Sequence, residues 1–216
     1  MKFTGQLWES TKEIYGRILA LPFNQELMKG TLGTDRFIFY IKQDSLYLMD
    51  YCSVLSHIAS KLNNTEHILQ FLKFASDCII IERAMHEKFL TGFKDQETTE
   101  KSPACFAYTN FLMATAALKS SEEAVASILP CFWIYRAAGD YIYEHADAMN
   151  PYRDWIDTYA AEEFRKATDT AIDITEELAA KTTDAGRSKM MEAFKMSARL
   201  EYLFWESGYK KEKWIV

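Results

Sequence analysis

Three side chains in this sequence are of types that perform covalent and proton chemistry, yet stand where a helix should turn its apolar face inward. Cys131 sits in Leu129-Pro130-Cys131-Phe132-Trp133-Ile134-Tyr135, Glu201 in Leu200-Glu201-Tyr202-Leu203-Phe204-Trp205, and Asp44 in Gln43-Asp44-Ser45-Leu46-Tyr47-Leu48. A thiol becomes a nucleophile once it loses its proton. A carboxyl group among aromatic rings is desolvated, which raises its pKa and keeps it able to donate a proton near neutrality. A second carboxylate on an apolar stripe costs several kcal/mol unless something hydrogen-bonds to it. The set reads as the equipment of an enzyme.

The spacing around each residue makes the placement explicit. Phe37, Tyr40, Ile41, Asp44, Tyr47, Leu48 and Tyr51 follow the 3, 4, 7 pattern of one helical face, with Asp44 in its middle. A structural network with Tyr40 or Tyr47 is the plain alternative to a binding role for Asp44. Phe194, Ser197, Ala198, Glu201, Phe204, Trp205 and Gly208 form a second such face. An ion pair of Glu201 with Arg199 is the plain alternative there, but residues two apart point to different sides of a helix. Cys131 belongs to a stripe of Ala124, Ile128, Cys131, Tyr135, Ala138 or Gly139, and Ile142. Pro130 removes a backbone donor and is expected to kink or interrupt the helix beside the thiol, giving Cys131 an irregular and accessible setting.

Helices must carry all three stripes, because apolar residues recur at three and four rather than two, and only eight glycines and four prolines punctuate the chain. The first helix is expected from about Gln6 to Ala20, stopped by Pro22, with a short element to Lys29 broken by Gly30. Thr34 is expected to cap a helix reaching about Lys61, with Asp35 in its first turn. Further helices are expected at about Glu66 to Phe93, Pro103 to Leu118, Ser121 to Ala148, Tyr152 to Ala180 and Asp184 to Tyr209. Seven or eight helices with short connections make a multi-helix bundle, and 216 residues without a linker make one domain, residues 1–216.

Composition narrows the function classes. Hydrophobic residues at 49% and aromatics at 14% provide a large core and enough rings to line a pocket. A net charge of -6 with dispersed Lys and Arg gives no footprint for nucleic acid or anionic lipid. No run approaches the roughly 20 apolar residues of a membrane helix, and no secretion signal is evident, so a soluble cytoplasmic protein is expected. Cys52, Cys78, Cys105 and Cys131 contain no Cys-x-x-Cys pair and are expected to be reduced, the first three as buried packing. Glu82 and His86 are one turn apart, as metal ligands can be, but no Glu-x-x-His pair accompanies them. Neither metal nor cofactor is expected.

The chain resembles the TenA family, also called thiaminase II or aminopyrimidine aminohydrolase. The resemblance is carried by Pro22-Phe23, Gly30-Thr31-Leu32, Phe37, Tyr40, Gln43-Asp44, Tyr47-Leu48, Ser102-Pro103 with Tyr108-Thr109, the segment around Cys131, Trp155-Ile156 with Tyr159 and Phe164, and Glu201-Tyr202 with Phe204-Trp205. Leu21 and Leu46 depart from the family, which often has His before Pro-Phe and a second aromatic residue between the Asp and Tyr. Cys131 is similar to the cysteine of the family's cysteine-bearing branch.

The resemblance implies an all-α, haem-oxygenase-like fold, a homotetramer, and a small pocket for an aminopyrimidine or thiamin. It implies that Cys131 is the catalytic thiol, Glu201 the proton donor and Tyr47 the residue assisting the thiol. Asp44 would hold the pyrimidine, Tyr135 and Tyr159 would contact it, and Tyr108 and Phe204 would be pocket walls. The implied reaction is hydrolysis of 4-amino-5-aminomethyl-2-methylpyrimidine, and of thiamin, to the hydroxymethyl compound in thiamin salvage. A non-catalytic pyrimidine-binding or regulatory protein on the same scaffold is the competing reading.

Overall fold

Apolar residues spaced by three and four leave helices as the one regular element that buries them. A computed structural model describes residues 1–90 and 100–216, with all side chains among them except those of Glu82, Met85 and His86. Ten α-helices and no strand occur among the described residues. They are α1 Phe3–Glu9, α2 Lys12–Leu19, α3 Pro22–Met28, α4 Thr34–Ala59, α5 Thr65–Leu90, α6 Pro103–Leu118, α7 Ser121–His145, α8 Arg153–Ala160, α9 Glu162–Lys181 and α10 Asp184–Lys210. The all-α expectation holds, and the predicted end of the fifth helix at Phe93 lies outside the described residues.

Four local expectations are corrected. The helix predicted over Gln6–Ala20 is two helices, because Ser10 and Thr11 turn their hydroxyls back onto the carbonyls of Leu7 and Trp8, at 2.7 and 3.1 Å. Such side-chain bonds compete with the helical ladder. The helix predicted over Tyr152–Ala180 is also two, separated at Ala161, whose φ of -67° and ψ of 147° are extended. Thr34 is the first residue of α4 rather than its cap; Gly33 occupies that position. Finally, of the kink or interruption expected at Pro130, the interruption does not occur: α7 continues as an α-helix through it. The expected break at Gly30 is present, with φ of 70°.

The helices gather in two compact units, one of Met1–Leu32 with Glu122–Tyr202 and one of Gly33–Ser121 with Leu203–Val216. In the first, the Glu176 carboxylate of α9 caps the start of α1, accepting from the N–H groups of Phe3 and Thr4 at 3.0 and 2.8 Å and from the Thr4 hydroxyl at 2.8 Å. Trp8 of α1 stacks on Trp133 of α7, centroids 4.9 Å apart, and Trp133 meets Phe194 of α10 edge-on at 6.4 Å. Asn150 donates to the carbonyls of Leu27 and Met28 at the end of α3, both at 2.9 Å. Leu7, Ile18, Phe23, Leu27, Trp155, Ile156 and Phe194 are fully buried. Each of the aliphatic and phenyl side chains stabilises the unit by about 1.5–3 kcal/mol.

In the second unit α4 lies along α5 and α6. Phe37, Tyr40, Ile41, Asp44, Tyr47 and Tyr51 are buried as the stripe predicts, while Leu48 is only half-buried. Asn64 caps α5 by accepting from the N–H groups of Glu66 and His67. Ser102 caps α6, accepting from the Cys105 N–H at 3.2 Å, and Pro103 opens its first turn. At the other end of α6, the Lys61 ammonium group donates to the carbonyls of Ala116 and Lys119, closing a helix terminus that otherwise has unsatisfied acceptors.

The Glu176 cap generates a pH dependence. Burial by itself pushes this carboxyl up, but bonds from Thr4 and Phe3 outweigh it and hold the group below the ordinary carboxylate range. A folded pKa below the unfolded one contributes stability above the ordinary value, and that contribution fades as pH falls through it toward the lowered one. Glu176→Gln is therefore expected to cost about 0.5–1 kcal/mol at pH 7, the low end for a cap because the group is part-exposed. Thermal unfolding at pH 7 and pH 3 checks this; a deficit undiminished at pH 3 contradicts it.

Candidate active site

The first unit presents Cys131, Tyr135, Tyr159 and Glu201. Cys131 follows Pro130 on α7, whose missing N–H leaves the carbonyl four residues back without its helical donor. Among the four cysteines Cys131 alone is half-buried; Cys52, Cys78 and Cys105 are buried, and all four are free thiols. This matches the accessible setting expected for it. Tyr135 lies one turn beyond Cys131 on the same face. Its ring is 5.0 Å from that of Tyr159 on α8.

Gly139, a further turn along α7, explains how Tyr159 comes so close. A Cβ at this position would stand 2.8 Å from the Tyr159 Cβ and 3.0 Å from its carbonyl oxygen, so any larger residue would push α8 away. The break at Ala161 serves the same packing. In an unbroken helix Tyr159 and Phe164, five residues apart, would point to different sides. With the break their rings meet edge-on at 5.4 Å, Trp155 lies 4.6 Å from Tyr159, and Phe164 stacks on Phe132 at 6.3 Å. Glu201 on α10 is 1% exposed, which places its carboxyl group in the desolvated setting the sequence predicts.

The second unit presents Asp44, Tyr47, Tyr108 and Phe204. Asp44 is 3% exposed and shares its face of α4 with Tyr40, Tyr47 and Tyr51. The Tyr47 ring centroid lies 5.1 Å from that of Tyr108, 5.5 Å from Phe204 and 5.3 Å from Tyr51. Tyr47, Tyr108 and Phe204 thus form one aromatic cluster within this unit. Tyr40 stacks on Trp205 at 5.2 Å and an interplanar angle of 14°, and meets Phe204 edge-on at 5.9 Å. These contacts fix the rotamers of the rings beside Asp44.

Gln43, the neighbour of Asp44, has a positioning role that sequence reasoning missed. Its amide nitrogen donates to the Glu100 carbonyl at 2.9 Å while its amide oxygen accepts from the Ser102 N–H at 2.7 Å. Both ends of one buried side chain hold the strand of chain that enters α6, the helix bearing Tyr108. The available signal was the Gln43-Asp44 pair itself: a second polar residue at a stripe's edge needs partners when buried.

Burial pushes the Cys78 and Cys105 thiols up to about 12. The Asp44 charge adds to the effect on both. Neither can be a thiolate nucleophile near neutrality. Among the described residues no group of three or more His, Cys, Asp and Glu is placed to hold a metal ion, and the Glu82 and His86 side chains lie outside the described residues. Among the described residues no helix is long and apolar enough to cross a membrane. A cavity of about 330 Å³ in the second unit is bordered by Lys42, Gln43, Lys101, Ser102 and Trp214, but not by Asp44, Tyr47, Tyr108 or Phe204.

Comparison with known proteins adds to the geometry. A family model described as the TENA/THI-4/PQQC family matches residues 8–211. An aminopyrimidine aminohydrolase of Bacillus subtilis (strain 168) is 32% identical over 219 residues, which cover 99% of this chain and 92% of that protein. A solved structure of a TenA homologue from P. horikoshii OT3 superposes with a TM-score of 0.84 at 24% identity, over 97% of this chain and 99% of that one. A Shewanella denitrificans OS217 domain with a heme oxygenase-like fold superposes with a TM-score of 0.79 at 12% identity, over 96% and 92% of the two chains. The superpositions show a shared fold, heme oxygenase-like and all-α.

The burial contrast among the thiols has a direct readout. At pH 8 a thiol titrating at about 12 is ionised to about one part in ten thousand. Iodoacetamide is expected to alkylate Cys131 while Cys78 and Cys105 stay unmodified until the protein unfolds, as followed by peptide mass spectrometry. Comparable labelling of Cys78 or Cys105 in the folded protein would contradict this contrast.

Proposed function

The chain belongs to the TENA/THI-4/PQQC family, and from that membership we propose that it is an aminopyrimidine aminohydrolase of the thiaminase II type. Its substrate is 4-amino-5-aminomethyl-2-methylpyrimidine, with thiamin open to the same chemistry, and its product is the 5-hydroxymethyl pyrimidine used in thiamin salvage. The observation that carries the reading is Cys131: a thiol left half-buried while the other three are buried, in a chain similar along 99% of its length to an aminopyrimidine aminohydrolase. The reading takes residues 1–216 as one domain, and the protein as a cytoplasmic homotetramer.

The chemistry follows from the residue types. A neutral aromatic ring resists displacement of an amine from its exocyclic methylene. Addition of the Cys131 thiolate to a ring carbon breaks aromaticity, and the ring electrons then expel the amine, which Glu201 protonates so that it leaves as ammonia. Water adds to the exposed methylene and gives up its proton to the Glu201 carboxylate. Expulsion of the thiolate restores the aromatic ring. Tyr47 is assigned to hydrogen-bonding the thiol and assisting its ionisation. Asp44 accepts the amino hydrogens of the pyrimidine, fixing the ring's orientation. Tyr108, Tyr135, Tyr159 and Phe204 border the flat ring.

Turnover and binding separate these roles. Cys131→Ser and Glu201→Gln are each expected to lower kcat for ammonia release by about 10²–10⁴-fold with the fold intact. Full turnover in either variant removes that residue from the assignment. Asp44→Ala is expected to weaken affinity for the hydroxymethyl pyrimidine at least about tenfold, the loss of one charge-assisted hydrogen bond, in addition to lowering the rate. Unchanged affinity counts against its role. Thermal stabilisation of the wild type by that pyrimidine without any ammonia release would instead make the protein a binder or regulator.

A further inference from the structure

Ser197 on α10 donates its hydroxyl hydrogen to the backbone oxygen of Ser127 on α7 at 2.5 Å, across 70 positions of sequence. Both residues are fully buried, and both belong to the first unit. In a helix the carbonyl of residue 127 faces the N–H four residues on, which is that of Cys131. Ser197 in turn stands four residues before Glu201, one turn away on the same face. The bond therefore fastens the turn leading to the thiol to the turn leading to the carboxyl group.

Pro130 makes this contact matter more. Its missing N–H deprives the Ala126 carbonyl of its helical donor. The turn entering Cys131 thus has one internal hydrogen bond fewer than a regular turn, beside the place where Ser197 supplies an external one. The Ser127 hydroxyl does not contribute to the link; it bonds within its own helix to the Ala124 carbonyl at 2.8 Å.

The direction of the helices fixes what the contact sets. Along α7 the order is Ser127 then Trp133, and their partners on α10 are Ser197 and then Phe194, so the two helices run antiparallel. Cys131 and Glu201 lie on opposite sides of the contact, their Cα atoms separated along the axis by about 12 Å at 1.5 Å per residue. Each Cα–Cβ bond tilts toward its own helix N-terminus. In an antiparallel pair that tilt leans the two side chains toward one another over the contact. The gap they leave is set by where Ser197 holds Ser127.

We propose that Ser197 is a positioning residue for the hydrolysis, holding the Cys131 turn and the Glu201 turn at the separation that lets thiol and carboxyl act on one flat ring. The proposal rests on the reading of Cys131 as nucleophile and Glu201 as proton donor. The role assigned to Ser197 requires no contact with substrate or reacting atoms. It acts through the backbone that aims both, where a displacement of about 1 Å is enough to cost about 10²-fold in rate.

Steady-state kinetics of the intact protein on the aminomethyl pyrimidine test it with three variants. Ser197→Ala is expected to lower kcat at least tenfold with KM within threefold. Ser127→Ala, which keeps the accepting carbonyl, is expected to retain kcat within twofold. Ser197→Thr, which keeps the donor, is expected to recover most of the lost kcat. Equal kcat in Ser197→Ala and wild type, or equal losses in Ser197→Ala and Ser127→Ala, overturns the proposal. Should the wild type release no ammonia, the functional reading fails, and the positioning claim is decided by the Cys131 alkylation rate, which needs no turnover. A change of at least threefold in Ser197→Ala but not in Ser127→Ala supports it, and unchanged rates in both overturn it.

Discussion

Burial of two carboxyl groups on aromatic helix faces is the constraint from which the rest of the structure follows. Glu201 is 1% exposed and Asp44 3% exposed. Removing such a group from water costs several kcal/mol before anything is gained from its surroundings. A sequence that accepts this cost must hold the faces rigidly, since a loosened helix would let water in and undo the burial. The surrounding packing is of that kind. Tyr40, Trp205 and Phe204 interlock beside the α4 stripe, and Gln43 ties the entry to α6 through both ends of its amide.

The same burial separates one thiol from three. Cys78 and Cys105 are held protonated by desolvation, to which nearby Asp44 adds repulsion for a thiolate. Cys131 stands in a different setting: it follows a proline within its helix and is only half-buried. Burial thus withholds two of the buried sulfurs from thiolate chemistry and leaves Cys131 the most accessible of the four.

Small residues do the positioning. Gly139 admits the backbone of α8 so that Tyr159 reaches Tyr135, and Ala161 allows the turn that brings Phe164 onto Tyr159. Ser10 and Thr11 end α1 after Trp8, whose ring then stacks on Trp133 of the thiol-bearing helix. In each case a side chain of modest size decides where a large ring goes, as close packing requires.

Much of this was legible along the chain. The stripes containing Asp44, Glu201 and Cys131, the break at Gly30, the cysteines packed as small hydrophobes and the all-α class all follow from a 3.6-residue period and from the conformational habits of Gly and Pro, which act over a few neighbouring residues. The division at Ala161, the grip of Gln43 on Glu100 and Ser102, and the bond from Ser197 to Ser127 do not. They join positions whose local patterns are unremarked, and their energy exists only once distant helices are side by side. Periodicity determined which face each helix would bury and which reactive groups that face would carry. Only the tertiary structure decided which carbonyl, ring or amide would meet that face, because a contact spanning 70 residues leaves no trace in the spacing of either end.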